Sequence, residues 1–219
     1  MELRLDEHDR SLIRQLRPET AAMWSLTLGT ALISVVLYCA IWNVSIAVGL
    51  VLGMWVHELG HAAVVRRLGL ETGPIVFVPF IGAAQRLRVW PVRPLDVAVL
   101  SLAGPVASVV FALICKLGCV LTGDPALRFL ATAHGLLAVI DLLPLGNLDG
   151  GRVVAALSRR ERIACTVATG VTAVAGEFLA LVPMCAALAW SCSRASASER
   201  QPALTAALLG VLGCVCWLM

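Results

Sequence analysis

The chain alternates between long apolar runs and short segments that carry most of its charge. The first apolar run covers about 23–41, and the second covers about 44–65 and is ended by Arg66 and Arg67. Each is close to the ~20 residues that a helix needs to cross the hydrocarbon core of a bilayer. The pattern therefore predicts an all-α polytopic membrane protein with about six transmembrane helices. The four remaining runs cover 95–121, 126–143, 163–190 and 203–219.

The segment 70–92 has a different pattern. Glycine and proline interrupt it repeatedly, and the stretches 75–80 and 83–90 have the composition of two short strands. We expect a short membrane-associated β-hairpin here, after the second predicted helix, with its turn at 81–82.

The predicted helices suggest one membrane-embedded domain over 23–219, preceded by a polar tail over 1–22. The tail mixes acidic residues and arginines. It does not have the early apolar core and small-residue cleavage site of a secretory signal peptide.

Composition supports the membrane assignment. Hydrophobic residues make up 59% of the 219 positions and charged residues only 14%, with a mean hydropathy of +0.89. A soluble domain would have about one-quarter charged residues. Most arginines lie in the tail, in 66–93 and in 152–162, as expected for cytoplasmic segments. They neither cluster with aromatic residues nor lie on a soluble domain, which argues against a nucleic-acid partner.

A five-residue stretch inside the second apolar run contains three ionisable residues. They are His57, Glu58 and His61, in an HExxH pattern. Helix positions i and i+4 share a face, so both imidazoles can bind one metal ion. Glu58 then lies beside the ion, where it can accept a proton from water as catalytic base. Zinc suits this site because it accepts two imidazoles and an oxygen ligand and keeps one position open.

The alternative is that these side chains only hold helices together. Serine, threonine or asparagine would be more typical of that role. Ionisable residues in a span are costly and usually mark function.

Asp149 is the better candidate for a third ligand. It follows a predicted helix break at Pro144, and the glycines after it let the backbone turn toward the site. Glu71 lies in the loop after the second run and fits poorly. The alternative for Asp149 is that it caps the next helix.

Four segments together resemble the site-2 protease family of intramembrane zinc metalloproteases. The resemblance covers about 44–155, in the family's order and spacing, and it implies one Zn²⁺ bound by His57, His61 and Asp149. It also implies that Glu58 is the catalytic base of a metalloendopeptidase acting in regulated intramembrane proteolysis, on bonds within or next to transmembrane segments. The segments are HELGH at 57–61, Ala103-Gly104-Pro105, the LDGG sequence at 148–151 after Pro144, and the stretch 79–83, which looks like the family's hairpin.

Two positions depart from the family's pattern. The family commonly has asparagine where this chain has Asp141 and Ser108, so the group that stabilises the oxyanion is unassigned. Asn147 is close enough in sequence to be considered for that role. The alternative function, supported by these departures, is a catalytically impaired homologue that acts as a membrane substrate-binding scaffold.

The resemblance also sets the expected surroundings of the protein. We expect a multi-pass protein of a prokaryotic plasma membrane, with its N-terminus and active site toward the cytoplasm. Its partners would be the bilayer and a transmembrane protein or peptide substrate, and a regulatory partner is unknown. Two polar residues in predicted spans stay open: His134 as a packed histidine or a further ligand, and Glu177 as a cavity residue or an interhelical hydrogen-bond partner.

Overall fold

A computed structural model of the chain describes residues 20–145, 148–175, 181–193 and 201–218. The described part is mostly helical, with one small antiparallel sheet. Residues 1–19 of the predicted tail, Asn147 and Glu177 lie outside the described residues, whereas 20–22, also assigned to the tail, begin the first helix. The elements are α1 (Thr20–Cys39), α2 (Val44–Arg67), β1 (Thr72–Val78), β2 (Gly82–Leu87), α3 (Pro94–Thr122), α4 (Pro125–Asp141), α5 (Asp149–Ala155), α6 (Arg159–Ala175), α7 (Val182–Ser193) and α8 (Pro202–Leu218).

Three of these helices are long and apolar enough to cross a membrane: α1, α2 and α3. They match the first three predicted spans, so this is a membrane protein. Helices α4 and α8 each have 17 residues, at the lower limit of the length range of transmembrane helices. The total of six spans stays a prediction.

The fifth predicted span is not one continuous helix. The structure has two helices there, α6 and α7, which pack against each other. Arg162 near the start of α6 donates a hydrogen bond to the Ser191 carbonyl near the end of α7, while Gly170 lies near Cys185, so the two helices run antiparallel. An apolar composition suits a straight helix and a folded-back pair equally well, so hydropathy could not distinguish them.

Helices α2, α3 and α4 pack closely because small residues line their contacts. A Cβ atom on Gly60 would meet the Ala103 carbonyl of α3, and one on Gly53 would meet the His134 ring of α4. Small residues allow such close approach of helices in membranes. The HExxH segment of α2 is therefore held directly against α3.

The hairpin is present where it was predicted, although β1 starts earlier and β2 ends earlier than expected. Its register pairs Val78 with Gly82 and Phe77 with Ala83. Helix α1 covers one edge, since Thr30 Oγ1 accepts a hydrogen bond from the Phe77 N–H at 3.2 Å. Among the described residues, no strand lies on the other side of β2.

Candidate metal centre

His57, His61 and Asp149 converge on one point of the structure. Nε2 of His57 lies 3.0 Å from Nε2 of His61, and Asp149 Oδ2 lies 3.1 Å from His61 Nε2 and 3.7 Å from His57 Nε2. One ligand atom from each residue lies within 4.8 Å of the others. Two imidazole nitrogens and a carboxylate oxygen at this spacing are a donor set that suits zinc.

Local structure explains how residues 88 positions apart in sequence come together. His57 and His61 lie one turn apart on α2. Asp149 is the first residue of α5, just after the chain leaves α4. Leu148 occupies the N-cap position and no side chain caps this helix, so the alternative role of Asp149 as a side-chain cap has no support in the geometry.

Gly104 provides the space that a metal ion would need. A Cβ atom at this position would lie 2.6 Å from His57 Nε2 and would collide with His61 Nε2. The two nitrogens therefore face a place on α3 from which any larger side chain is excluded. The residues present fit a zinc ion on this observation and on their donor chemistry.

Helix α3 orients both imidazoles. His61 Nδ1 lies 2.8 Å from the Leu100 carbonyl oxygen, and His57 Nδ1 lies 2.9 Å from Ser108 Oγ. When Nδ1 carries the hydrogen and donates it to these oxygens, Nε2 is left free to bind metal. The two hydrogen bonds thus aim both Nε2 atoms toward Asp149.

Arg152 and Trp90 hold the other side of Asp149. Arg152 Nη1 lies 3.3 Å from Asp149 Oδ1, and its guanidinium lies 4.4 Å from the centre of the Trp90 ring. Burial raises the pKa of the Asp149 carboxyl, but hydrogen bonds with His57 and His61 outweigh burial and lower its pKa to about 2. Asp149 is therefore an ionised carboxylate at neutral pH, the form that binds metal.

Neither Arg152 nor Trp90 was singled out from the sequence. The i,i+3 spacing of Asp149 and Arg152 at a helix start was a usable signal. The Trp90 contact had none, because it joins segments far apart along the chain.

Glu58 lies in the same cavity as the metal group. Its side chain is buried, and the cavity has a volume of about 370 Å³. Walls come from α2, α3, the loop before α5 and the β2 strand. Asp141, at the end of α4, also lines this cavity, and its Oδ2 lies 3.6 Å from His57 Nδ1.

Two other residues considered from the sequence, His134 and Glu71, lie away from this group. His134 is buried against Gly53, with the Phe111 ring edge-on at 4.9 Å, which favours the packed histidine. Glu71 lies at the hairpin, where its carboxylate is 3.9 Å from Arg88.

Comparison with curated proteins finds zinc metalloproteases. Over 131 residues the chain is 26% identical to "Zinc metalloprotease MJ0392" of Methanocaldococcus jannaschii, a match that covers 58% of this chain. Over 152 residues it is 35% identical to "Putative zinc metalloprotease Rip3" of Mycobacterium tuberculosis, covering 65% of this chain. Each match spans only 38% of the relative's own length. No protein-family model matches the chain.

Both relatives are site-2 protease family members, so the resemblance indicated by the motifs is confirmed. The chain is similar to metalloproteases of the site-2 protease type. Its apolar helices agree with a membrane location, and its His57, His61 and Asp149 group supports zinc as the metal.

Proposed function

We propose that this protein is an intramembrane zinc metalloprotease that hydrolyses peptide bonds within or next to transmembrane segments. In this proposal His57, His61 and Asp149 bind a single Zn²⁺ and Glu58 is the catalytic base. The observation that carries this proposal is a shared cavity among helices of transmembrane length. It is lined by the three metal-binding side chains and by the buried carboxylate of Glu58.

The position of the site along α2 supports cleavage at membrane depth. His61 lies six residues and His57 ten residues before Arg67, where α2 ends. At 1.5 Å per residue these distances are about 9 Å and about 15 Å. A bond hydrolysed here would lie inside the bilayer, toward the proposed cytoplasmic surface.

The proposed chemistry divides between the metal and Glu58. Zinc supplies Lewis acidity, which polarises a carbonyl group and makes water easier to deprotonate. Glu58 accepts the proton from water and then donates it to the nitrogen of the leaving amine. The water oxygen bonds to the carbonyl carbon as it gives up this proton, and the C–N bond then breaks, which leaves a carboxyl group and an amine.

The outer edge of β2, on which no strand lies among the described residues, supports a way of holding the substrate. A helical peptide must unwind before it can be cut, and its released backbone groups then need partners inside a membrane. Ala83, Ala84 and Gln85 of β2 line the cavity, while α1 covers the opposite edge of the hairpin. A substrate strand added to β2 would satisfy those groups beside the metal centre.

The proposed setting follows from the charge pattern and the family. We place the N-terminus and the active site toward the cytoplasm of a prokaryotic plasma membrane, in one domain over 23–219. The partners are the bilayer and a membrane-protein substrate, while a regulatory partner is unidentified.

The test compares new protein N-termini in native membranes that carry either the wild-type chain or Glu58→Gln. We expect fragments cut within or beside transmembrane segments only with the wild type. Equal fragment profiles, with both proteins folded and zinc-loaded, would contradict the proposal and favour the substrate-binding scaffold.

A further inference from the structure

The two positions at which this chain departs from the family's asparagines meet at a single atom. Ser108 Oγ lies 2.9 Å from His57 Nδ1, and Asp141 Oδ2 lies 3.6 Å from the same nitrogen. They come from different helices, α3 and α4, and are 33 residues apart in sequence. Their convergence depends on the packing of α3 and α4 against α2.

His57 has one nitrogen on each side of its ring, and they face different surroundings. Nε2 faces His61 and Asp149, whereas Nδ1 faces Ser108 and Asp141. A metal-bound imidazole keeps its hydrogen on the other nitrogen and donates it to a neighbouring oxygen. Ser108 Oγ is at hydrogen-bond distance for this role, in a side chain that is fully buried.

Asp141 occupies a position that needs a compensating interaction. It is the last residue of α4, where a negative charge opposes the helix dipole, and its side chain is only 23% exposed. A neighbouring imidazole that binds a cation becomes more positive at Nδ1–H. A carboxylate 3.6 Å away would then be favoured, and it would in turn strengthen the imidazole as a donor.

We propose that Ser108 and Asp141 act together as positioning residues for His57, setting the orientation of its ring and its donor strength toward the metal. In this chain the two positions would then serve the metal centre and not the substrate. The inference rests on the proposed function only in requiring that His57 binds zinc.

The experiment measures zinc affinity of the full chain in detergent without substrate, by competition with a chelator. The variants are Ser108→Ala, Asp141→Asn and the double variant. Ser34→Ala is the matched control, because Ser34 is a buried serine on α1 that donates its hydroxyl hydrogen to the Thr30 carbonyl and does not line the metal cavity. The absorption spectrum of the Co²⁺-loaded forms reports separately on the ligand field.

We expect each single substitution to weaken zinc binding by about tenfold and to shift the Co²⁺ spectrum, while Ser34→Ala changes neither. The double variant should depart from the product of the two single effects, because both residues act on one nitrogen. The circular dichroism of the metal-free variants serves as the control for folding.

Zinc affinities within about twofold of the wild type would overturn the inference. Replacing a residue that hydrogen-bonds to a metal ligand normally weakens metal binding by more than this. It would also be overturned by effects on zinc affinity that simply multiply in the double variant. Because these measurements use no proteolysis, failure of the Glu58→Gln test would leave them interpretable.

Discussion

Gly104 gives the sharpest test of where the metal binds, because replacing it with alanine alters no proposed ligand. The added Cβ would lie 2.6 Å from His57 Nε2 and 2.5 Å from His61 Cε1, and would collide with His61 Nε2. Zinc binds imidazole nitrogen at about 2.0–2.1 Å, so the methyl group and the ion would compete for the same space. A shift of α3 to relieve the collision would also pull the Leu100 carbonyl and Ser108 away from the histidines.

The size of the effect can be estimated from binding linkage. With free zinc about a thousandfold above its Kd, the wild-type chain should gain about 4 kcal/mol of stability from the ion. Gly104→Ala should gain almost none. The substitution improves helix propensity by up to about 1 kcal/mol, so a general weakening of the helix would not explain the loss.

The assay combines zinc content per purified chain with thermal unfolding followed by tryptophan fluorescence, at increasing free zinc. Gly118→Ala is the control on the same helix, since its Cβ would meet only the flexible end of the Leu127 side chain, at 3.0 Å. Gly118→Ala should retain zinc and the zinc-dependent increase in Tm. If Gly104→Ala bound zinc with the wild-type affinity, the metal could not lie between these nitrogens and the reasoning would be refuted.

Three further predictions test other parts of the structure. Glu58→Gln should keep one zinc per chain yet cleave a reconstituted transmembrane substrate at least about 100-fold more slowly, and near wild-type cleavage would exclude Glu58 as the base. Ala83→Pro, which removes an N–H on the edge of β2 that faces away from β1, should slow cleavage with zinc content unchanged, whereas Ala83→Ser keeps that N–H and should not. Unchanged turnover in the proline variant would rule out strand addition at this edge. Burial raises the pKa of Glu161, but hydrogen bonds from Ser158 and the Gln201 N–H outweigh burial and lower this pKa below its ordinary value. Its contribution to stability is therefore present above the ordinary pKa of about 4.3 and lost as the pH falls, so Glu161→Gln should lower Tm at pH 7 and this difference should shrink on acidification. A difference in Tm that does not vary with pH would show that these hydrogen bonds do not act through the charge.

Local patterns in the sequence were enough to predict several features of the fold and the site. The HExxH spacing placed His57 and His61 on one face because a helix repeats every 3.6 residues. Apolar length predicted α1, α2 and α3, and glycine and proline spacing predicted the hairpin. These features depend on residues that are neighbours along the chain, so they are determined before any packing occurs.

Tertiary packing decided the features that join distant segments. Leu100 and Ser108 lie 39 and 51 residues from the histidines that they orient, and no local spacing relates them. The antiparallel packing of α6 and α7 could not be predicted from the sequence either, because hydropathy does not report whether an apolar segment packs on itself. Local patterns also did not reveal that α1 covers the β1 edge of the hairpin, where Thr30 accepts a hydrogen bond from the Phe77 N–H of β1 and the Tyr38 hydroxyl accepts one from the Phe80 N–H in the turn. The sequence therefore supplied the chemical groups of the site, and helix packing supplied the contacts that orient them.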